Sequence, residues 1–338
     1  MTPGTSLVDF LCDPANHPER PSSVRLVQTH ISWVFVGDDV VYKVKKPVNF
    51  GFLDFGTLEL RKFYTYEELR LNRRFSPEVY LDVVPVSERG GTYRLGDVSN
   101  VVEYALRMRR ISDDHMLSRL LEKDLADDST LRRVGAHLGG IYRAIPSDDK
   151  AARYGSVDTV RFNVTENFEQ TAKYVGGPVS RAQFERIQEW SMDFLARRSG
   201  LFEDRCAAGW VKECHGDLHL QHVCVDGEKI WVFDCIEFNE RFRYGDVASD
   251  VAFLAMDLDH NGREDLAHAF VEGYRGISGD PSVHDVLTFY KVYRAYVRAK
   301  VTSFMLDDVG LDPSLRDAAF DTASRYYRLA HRYVCGED

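Results

Sequence analysis

The stretch His215-Gly216-Asp217-Leu218-His219-Leu220-Gln221-His222 gathers three histidines around one aspartate. A second acidic pair follows in Val232-Phe233-Asp234-Cys235-Ile236-Glu237-Phe238-Asn239. Asp217 stands in a loop that leads to a short hairpin around Asp226-Gly227. Asp234 ends the β-run Ile230-Trp231-Val232-Phe233, where a strand can present a carboxylate. One carboxylate to take a hydroxyl proton and another to hold a divalent cation are requirements of phosphoryl transfer. An isolated aspartate is most often a turn residue or a strand-end cap. The ordered set of H-x-D, hairpin and apolar-apolar-D is far more specific.

That order resembles a kinase catalytic loop, H-R-D-x-x-x-x-N, followed by a metal-binding Asp on the next strand. His222 stands where the metal-binding Asn belongs. Imidazole serves Mg²⁺ poorly and suits Mn²⁺ or zinc better, so Glu237 is an expected oxygen ligand beside Asp234 and His222. Val40-Val41-Tyr42-Lys43 follows the V-A-I-K pattern of a phosphate-binding lysine, and Lys45, of the same strand parity, is the alternative. Glu68 is the expected helix partner, with Glu67 second. No G-x-G-x-x-G precedes them; Gln28-Thr29-His30-Ile31-Ser32-Trp33 stands there, with the Thr29 and Ser32 hydroxyls available to phosphates. Val102-Glu103-Tyr104-Ala105 resembles an adenine-binding hinge, with backbone groups of Glu103 and Ala105 toward the base; the plain alternative is an edge strand.

The elements that must position these groups fall into two parts. Residues 31–36 and 40–45 read as a hairpin around Gly37-Asp38-Asp39, a turn expected to use positive φ. Residues 57–74 read as a helix with Thr57 as N-cap and Leu60, Phe63, Tyr64, Leu69 and Leu71 as its apolar positions. Strands follow over 81–86, 92–95 and 101–108. Helices are expected over 115–125, 129–144, 180–198, 283–306 and 313–333. This is an α+β pattern with a β-rich lobe over 1–105 and a mostly helical lobe over 106–338.

With those residues in view, His215-Gly216-Asp217-Leu218-His219 resembles the H-G-D-x-H loop of the aminoglycoside phosphotransferase superfamily. The stretch 233–239 together with 246–254 is similar to the kinase-like domain of bacterial proteins often fused to a P-loop ATPase. The resemblance implies a protein-kinase-like bilobal fold, ATP with Mg²⁺ or Mn²⁺, and a small hydroxylated substrate. It implies Asp217 as base, His215 as a loop-orienting residue, Asp234 as metal ligand and Asp250 as a brace for the loop. Asp250 also reads as the N-cap of a helix over 251–256. No G-x-x-x-x-G-K-[ST] occurs in the sequence, so a partner protein supplying the P-loop half is an expectation.

Two rival readings use the same residues. One is a nucleotide-binding pseudokinase that acts with a partner. The other is a metal-dependent hydrolase with zinc on Asp217, His215, His219 and His222, which needs a helical H-x-x-x-H. Arg241 and Arg243 are the candidates for an anionic substrate group, while Arg294, Arg298 and Lys300 read as a solvated helix face.

Bulk properties narrow the classes. The 338 residues are 44% hydrophobic and 28% charged, as in folded domains. A net charge of −10 with no long basic run disfavours nucleic acid and is compatible with a cationic small substrate. None of the six cysteines forms a C-x-x-C pair, no apolar run is long enough for a membrane span, and no leader is evident, so a cytoplasmic location is expected.

Overall fold

The computed structural model describes residues 6–336. The chain begins with α1 (Leu7–Cys12), then β1 (Arg25–Gln28), β2 (Ser32–Val36), β3 (Val40–Lys45), α2 (Leu58–Asn72), β4 (Tyr80–Arg89), β5 (Thr92–Leu95) and β6 (Val101–Arg109). The six strands form one antiparallel sheet in the order β1-β2-β3-β6-β4-β5. Strand alternation divides β3 between two environments. Tyr42 and Val44 join Phe35, Val86, Ala105, Phe10 and Leu11 in a core under α1. Lys43 and Lys45 point to the other face, toward α2.

The β2–β3 turn closes through a Gly37 N–H donated to the Val40 carbonyl, 2.9 Å. None of Gly37, Asp38 or Asp39 has positive φ, contrary to expectation. Asp38 is instead fixed from outside the turn, accepting from the Ser22 N–H and hydroxyl.

Thr57 caps α2, accepting from the Leu60 N–H. Of its expected apolar positions, Leu69 and Leu71 are buried, but the helix also buries a polar stripe. Arg61, Thr65, Glu68 and Asn72, spaced one turn apart, are buried, while Phe63 is 57% exposed. A helix that buries its polar stripe must find partners for it. Arg61 meets Glu103 at 2.7 Å, and Glu68 meets the β3 lysines.

The helical part holds α3 (Leu117–Glu122), α4 (Asp128–Ala144), α5 (Asp149–Gly155), α6 (Val157–Thr171), α7 (Arg181–Arg197) and α8 (Ser199–Ala207). The motif region carries β7 (Val211–Glu213), the hairpin β8 (Val223–Asp226) and β9 (Lys229–Val232), α9 (Glu240–Arg243) and β10 (Tyr244–Asp246). The chain continues through α10 (Val247–His260), α11 (Glu264–Ser278), α12 (Val283–Phe304) and α13 (Pro313–Cys335). The sequence reading places no element over 264–278, where α11 lies; α11 begins without a side-chain cap, so the usual N-terminal mark is missing.

The described chain groups into two compact units. One runs through Leu120 and takes in Gln221–Glu240; the other holds Leu121–Leu220 and the residues from Arg241 onward. In the second, α10 is buried nearly throughout, as expected of a helix apolar on all sides. Asp246 is its N-cap and also takes Arg205 in a bidentate pair, at 2.6 and 2.7 Å. Asp250 therefore lies one turn inside this helix and is not its cap. α4 and α11 approach so closely that a Cβ on Gly135 would stand 2.1 Å from the Phe270 carbonyl oxygen. No helix among the described residues is long and apolar enough to cross a membrane.

Candidate active site

In the first unit, two strand lysines and three carboxylates make one charged cluster. Lys43 Nζ lies 2.7 Å from Glu68 Oε1 and 2.7 Å from Asp234 Oδ1. Lys45 Nζ lies 2.7 Å from Glu68 Oε2, contacts Glu237 Oε1, and sits over the Phe55 ring. The structure brings both candidate lysines to one of the two candidate glutamates. Both lysines engage Glu68, whereas Glu67 pairs with Arg70 at the surface.

Burial works against the charge on Lys43, but the Asp234, Glu68 and Glu237 carboxylates hold its pKa well above the ordinary value. Lys45 is raised for the same reasons. Burial would also raise Glu68, yet the two ammonium groups outweigh it and lower that carboxyl. Glu237 goes the other way, raised by burial despite Lys45.

Glu237 is expected to ligand metal, but the structure buries it against Lys45 instead. Asp234 is the accessible carboxylate, with 44% of its side chain exposed. It has φ 66°, a left-handed conformation that costs a non-glycine residue about 1–2 kcal/mol. Neighbours enforce it. The Asp234 N–H donates to Tyr80 Oη at 3.0 Å, and the Cys235 N–H donates to Asn72 Oδ1 at 2.9 Å. Ser76 Oγ bridges the Val232 N–H and carbonyl, both at 2.8 Å. His222 Nε2 lies 3.5 Å from Asp234 Oδ2. Two ligands on one ion, with bonds of about 2.1 Å, stand about 3 Å apart, so this pair has suitable spacing for a divalent cation.

Thr29 does not project a hydroxyl outward. Its Oγ1 accepts from the Ile31 and Ser32 N–H groups and closes the β1–β2 turn. Ser32 lies opposite Lys45 in the ladder, and its buried Oγ has no hydrogen-bond partner among the described residues. Glu103 and Ala105 do not form a hinge. β6 is an interior strand that continues to Arg109, Ala105 has β3 on one side and β4 on the other, and the Glu103 carboxylate is spent on Arg61. The edge-strand alternative fails for the same reason.

In the second unit, Asp250 organises the histidine loop. Its buried carboxylate accepts from the His215 N–H at 2.7 Å, the Gly216 N–H at 3.2 Å and Tyr142 Oη at 2.6 Å. Arg294 Nη2 stands 3.2 Å from the same carboxylate, and its Nη1 donates to the Gly216 carbonyl at 2.9 Å. Gly216 has φ 87°, which the turn requires and which glycine adopts without penalty. His215 Nδ1 accepts from the Asp217 N–H at 3.3 Å. The Asp217 carboxylate stays accessible, 36% exposed, with His219 Nε2 3.5 Å away.

Tyr142 and Arg294 are the loop-holding residues that sequence reasoning missed. Arg294 reads as part of a solvated face of α12, and only its partners show otherwise. Arg241 and Arg243, candidates for an anionic group, are already committed: Arg241 to Glu166 and Asn163, Arg243 to Glu213. No helix spans 215–219; only a short 3-10 turn at Leu220–His222 follows, so the H-x-x-x-H helix of the hydrolase reading is not formed.

The buried lysine cluster predicts a stability effect. Lys45→Met leaves Glu237 without its cation, and chemical denaturation is expected to show a loss of about 3–5 kcal/mol. Adding Glu237→Gln should recover part of it. No recovery would mean the two are not coupled.

Residues 107–287 match the phosphotransferase enzyme family. The chain is 32% identical over 294 residues to uncharacterised proteins of Mycobacterium tuberculosis and Mycobacterium bovis, covering 87% of this chain. It spans 57% of the length of those relatives. Solved structures share the fold at low identity. A choline/ethanolamine kinase family protein from Mesorhizobium loti aligns with a TM-score of 0.53 at 12% identity, over 95% of this chain and 97% of that one. A choline kinase from Cryptosporidium parvum gives 0.53 at 10%, over 95% and 92%. An amicoumacin kinase in complex with AMP-PNP and Ca²⁺ gives 0.52 at 12%, over 95% and 90%. The fold is the kinase-like bilobal α+β class expected from the sequence.

Proposed function

Because this chain belongs to the phosphotransferase enzyme family, we propose that it transfers the γ-phosphoryl group of ATP to a hydroxyl of a small molecule. The observation that carries this reading is the Lys43 ammonium, 2.7 Å from both Glu68 and Asp234. A strand lysine paired with a helix glutamate, beside an aspartate able to hold metal, is the phosphate-handling arrangement of kinases. Alternatives such as an ordinary surface ion pair do not explain why three carboxylates are gathered on two buried lysines.

In this reading Lys43 neutralises phosphate charge, and Glu68 fixes the direction of its side chain. Lys45 and Glu237 form the buried support beneath them. The Ser32 hydroxyl, which lacks a partner among the described residues, is a further donor on the lysine face. Asp234 and His222 would hold the divalent cation, which when bound polarises the phosphates and offsets their charge. The imidazole in that pair favours Mn²⁺ over Mg²⁺. Asp217 accepts the proton of the acceptor hydroxyl as its oxygen forms a bond to the γ-phosphorus and the bond to ADP breaks. His215 and Asp250 position the loop without touching the reacting atoms.

Calorimetry with ATP and Mg²⁺ or Mn²⁺ tests the reading. The protein is expected to bind, and Asp234→Ala to weaken binding by about 10- to 100-fold or more. No nucleotide binding with either metal would remove the proposal. Binding without transfer to any acceptor would favour a nucleotide-binding module acting with a partner.

A further inference from the structure

Arg298 lies one helical turn beyond Arg294 on α12, and the two share a face. Arg294 touches Gly216, which fixes where that face runs relative to the loop. The other end of the loop is fixed as well. The Leu220 N–H donates to Asp257 Oδ2 at 3.0 Å, Tyr326 Oη donates to Asp257 Oδ1, and the Arg298 guanidinium lies over the Tyr326 ring at 5.5 Å. Arg298 therefore lies on α12 between Arg294, which touches Gly216, and Tyr326, which reaches Leu220 through Asp257. Burial works against its charge, but Tyr326, Asp217 and Asp257 raise its pKa.

Its neighbours Arg241, Arg243 and Arg294 each have a carboxylate partner. Arg298 does not: its Nε is buried and has no hydrogen-bond partner among the described residues. An unmade bond at a buried charged donor is costly, and a guanidinium fork is shaped to receive a carboxylate or phosphate. The carboxylates around the loop are the reverse case. Asp250, Asp257, Asp259 and Glu166 each already accept from an internal donor. Arg298 Nε is thus a buried cationic donor without a partner among the described residues; Asp259 Oδ1 is buried without one too, but on a carboxylate that already holds Lys291 and Tyr333.

We propose that Arg298 is a specificity-determining residue that binds an oxyanion, so that the acceptor is an acidic hydroxy compound rather than an aminated one. This rests on the phosphotransferase reading for its use, but its binding test does not. The net charge of −10, compatible with a cationic substrate, is an average that this spot does not follow.

The test titrates inorganic sulfate by calorimetry, with ADP present to occupy the nucleotide site. Wild-type protein should bind sulfate, Arg298→Gln should weaken binding by about tenfold or more, and Arg298→Lys should fall between, with thermal melts confirming that both variants fold. Transfer assays then compare glucuronate, glucose and glucosamine. Preference for glucuronate that disappears in Arg298→Gln is the expected result. Absent sulfate binding, binding indifferent to Arg298→Gln, or preference for glucosamine would overturn the inference. Failure of the phosphotransferase reading shows differently, as absent ATP binding while Arg298-dependent sulfate binding persists.

Discussion

Replacing Asp217 by Asn should lower the rate of phosphoryl transfer by about 10²- to 10⁴-fold, the usual contribution of a positioned general base. Nucleotide affinity should stay unchanged, because the proposed nucleotide-binding side chains belong to a different set, centred on Lys43. Asn matches Asp in size but cannot accept a proton at neutral pH. The loop itself should hold its shape, since the bonds that define it come from the His215 and Gly216 N–H groups to Asp250 and not from the Asp217 carboxylate. Single-turnover transfer, with slow ATP hydrolysis as a readout that needs no known acceptor, measures the effect. Calorimetry gives the affinity, and a thermal melt controls for folding. A variant with wild-type turnover would remove Asp217 from the chemistry. Equal losses in affinity and turnover would point to a disturbed fold.

Asp250→Ala should be strongly destabilising, at about 3–5 kcal/mol. Its side chain is fully buried, and its loss strands two loop N–H groups, the Tyr142 hydroxyl and part of the Arg294 guanidinium. Those groups have no water to turn to, so the cost is that of buried donors left unpaired. Asp250→Asn keeps one acceptor oxygen and should lose less. Combining Asp250→Ala with Arg294→Met should cost less than the sum of the two, because the second change removes the stranded cation. Urea denaturation of the four proteins completes the cycle. A loss below about 1 kcal/mol for Asp250→Ala, a typical value for any substitution, would mean that the brace is not under load.

The three carboxylates thus have separable signatures. Asp217 should affect rate without stability. Asp250 should affect stability first and rate as a consequence, since the loop it anchors carries Asp217. Asp234 should affect affinity for the metal nucleotide. The measurements distinguish a base, a brace and a ligand among residues that composition alone treats alike.

Much of this protein is local and therefore legible in its sequence. Strand parity places Lys43 and Lys45 on one face, because successive side chains alternate. Thr57 caps α2 and Gly227 turns the β8–β9 hairpin with φ 57°, each through contacts within a few residues. The order of His215, Asp217 and Asp234, on which the proposed chemistry rests, is read from the chain without any fold.

What the tertiary structure alone decided involves groups far apart in the chain. Lys43 and Asp234 are separated by 191 residues, and only folding shows that they share a hydrogen bond. Helix phase does not tell Glu68 from Glu67; the two lysines opposite choose Glu68. Hydrophobic patterning finds the buried Leu69 and Leu71 of α2 but not its buried Arg61, Thr65, Glu68 and Asn72, because burial of that stripe follows polar partners rather than apolarity. It misassigns Arg294 for the same reason, and places Glu103 and Ala105 at a hinge when β3 and β4 enclose Ala105 and the Glu103 carboxylate is held by Arg61. Charged side chains are buried only where partners compensate them, and those partners come from distant segments. Apolar periodicity carries no record of that pairing.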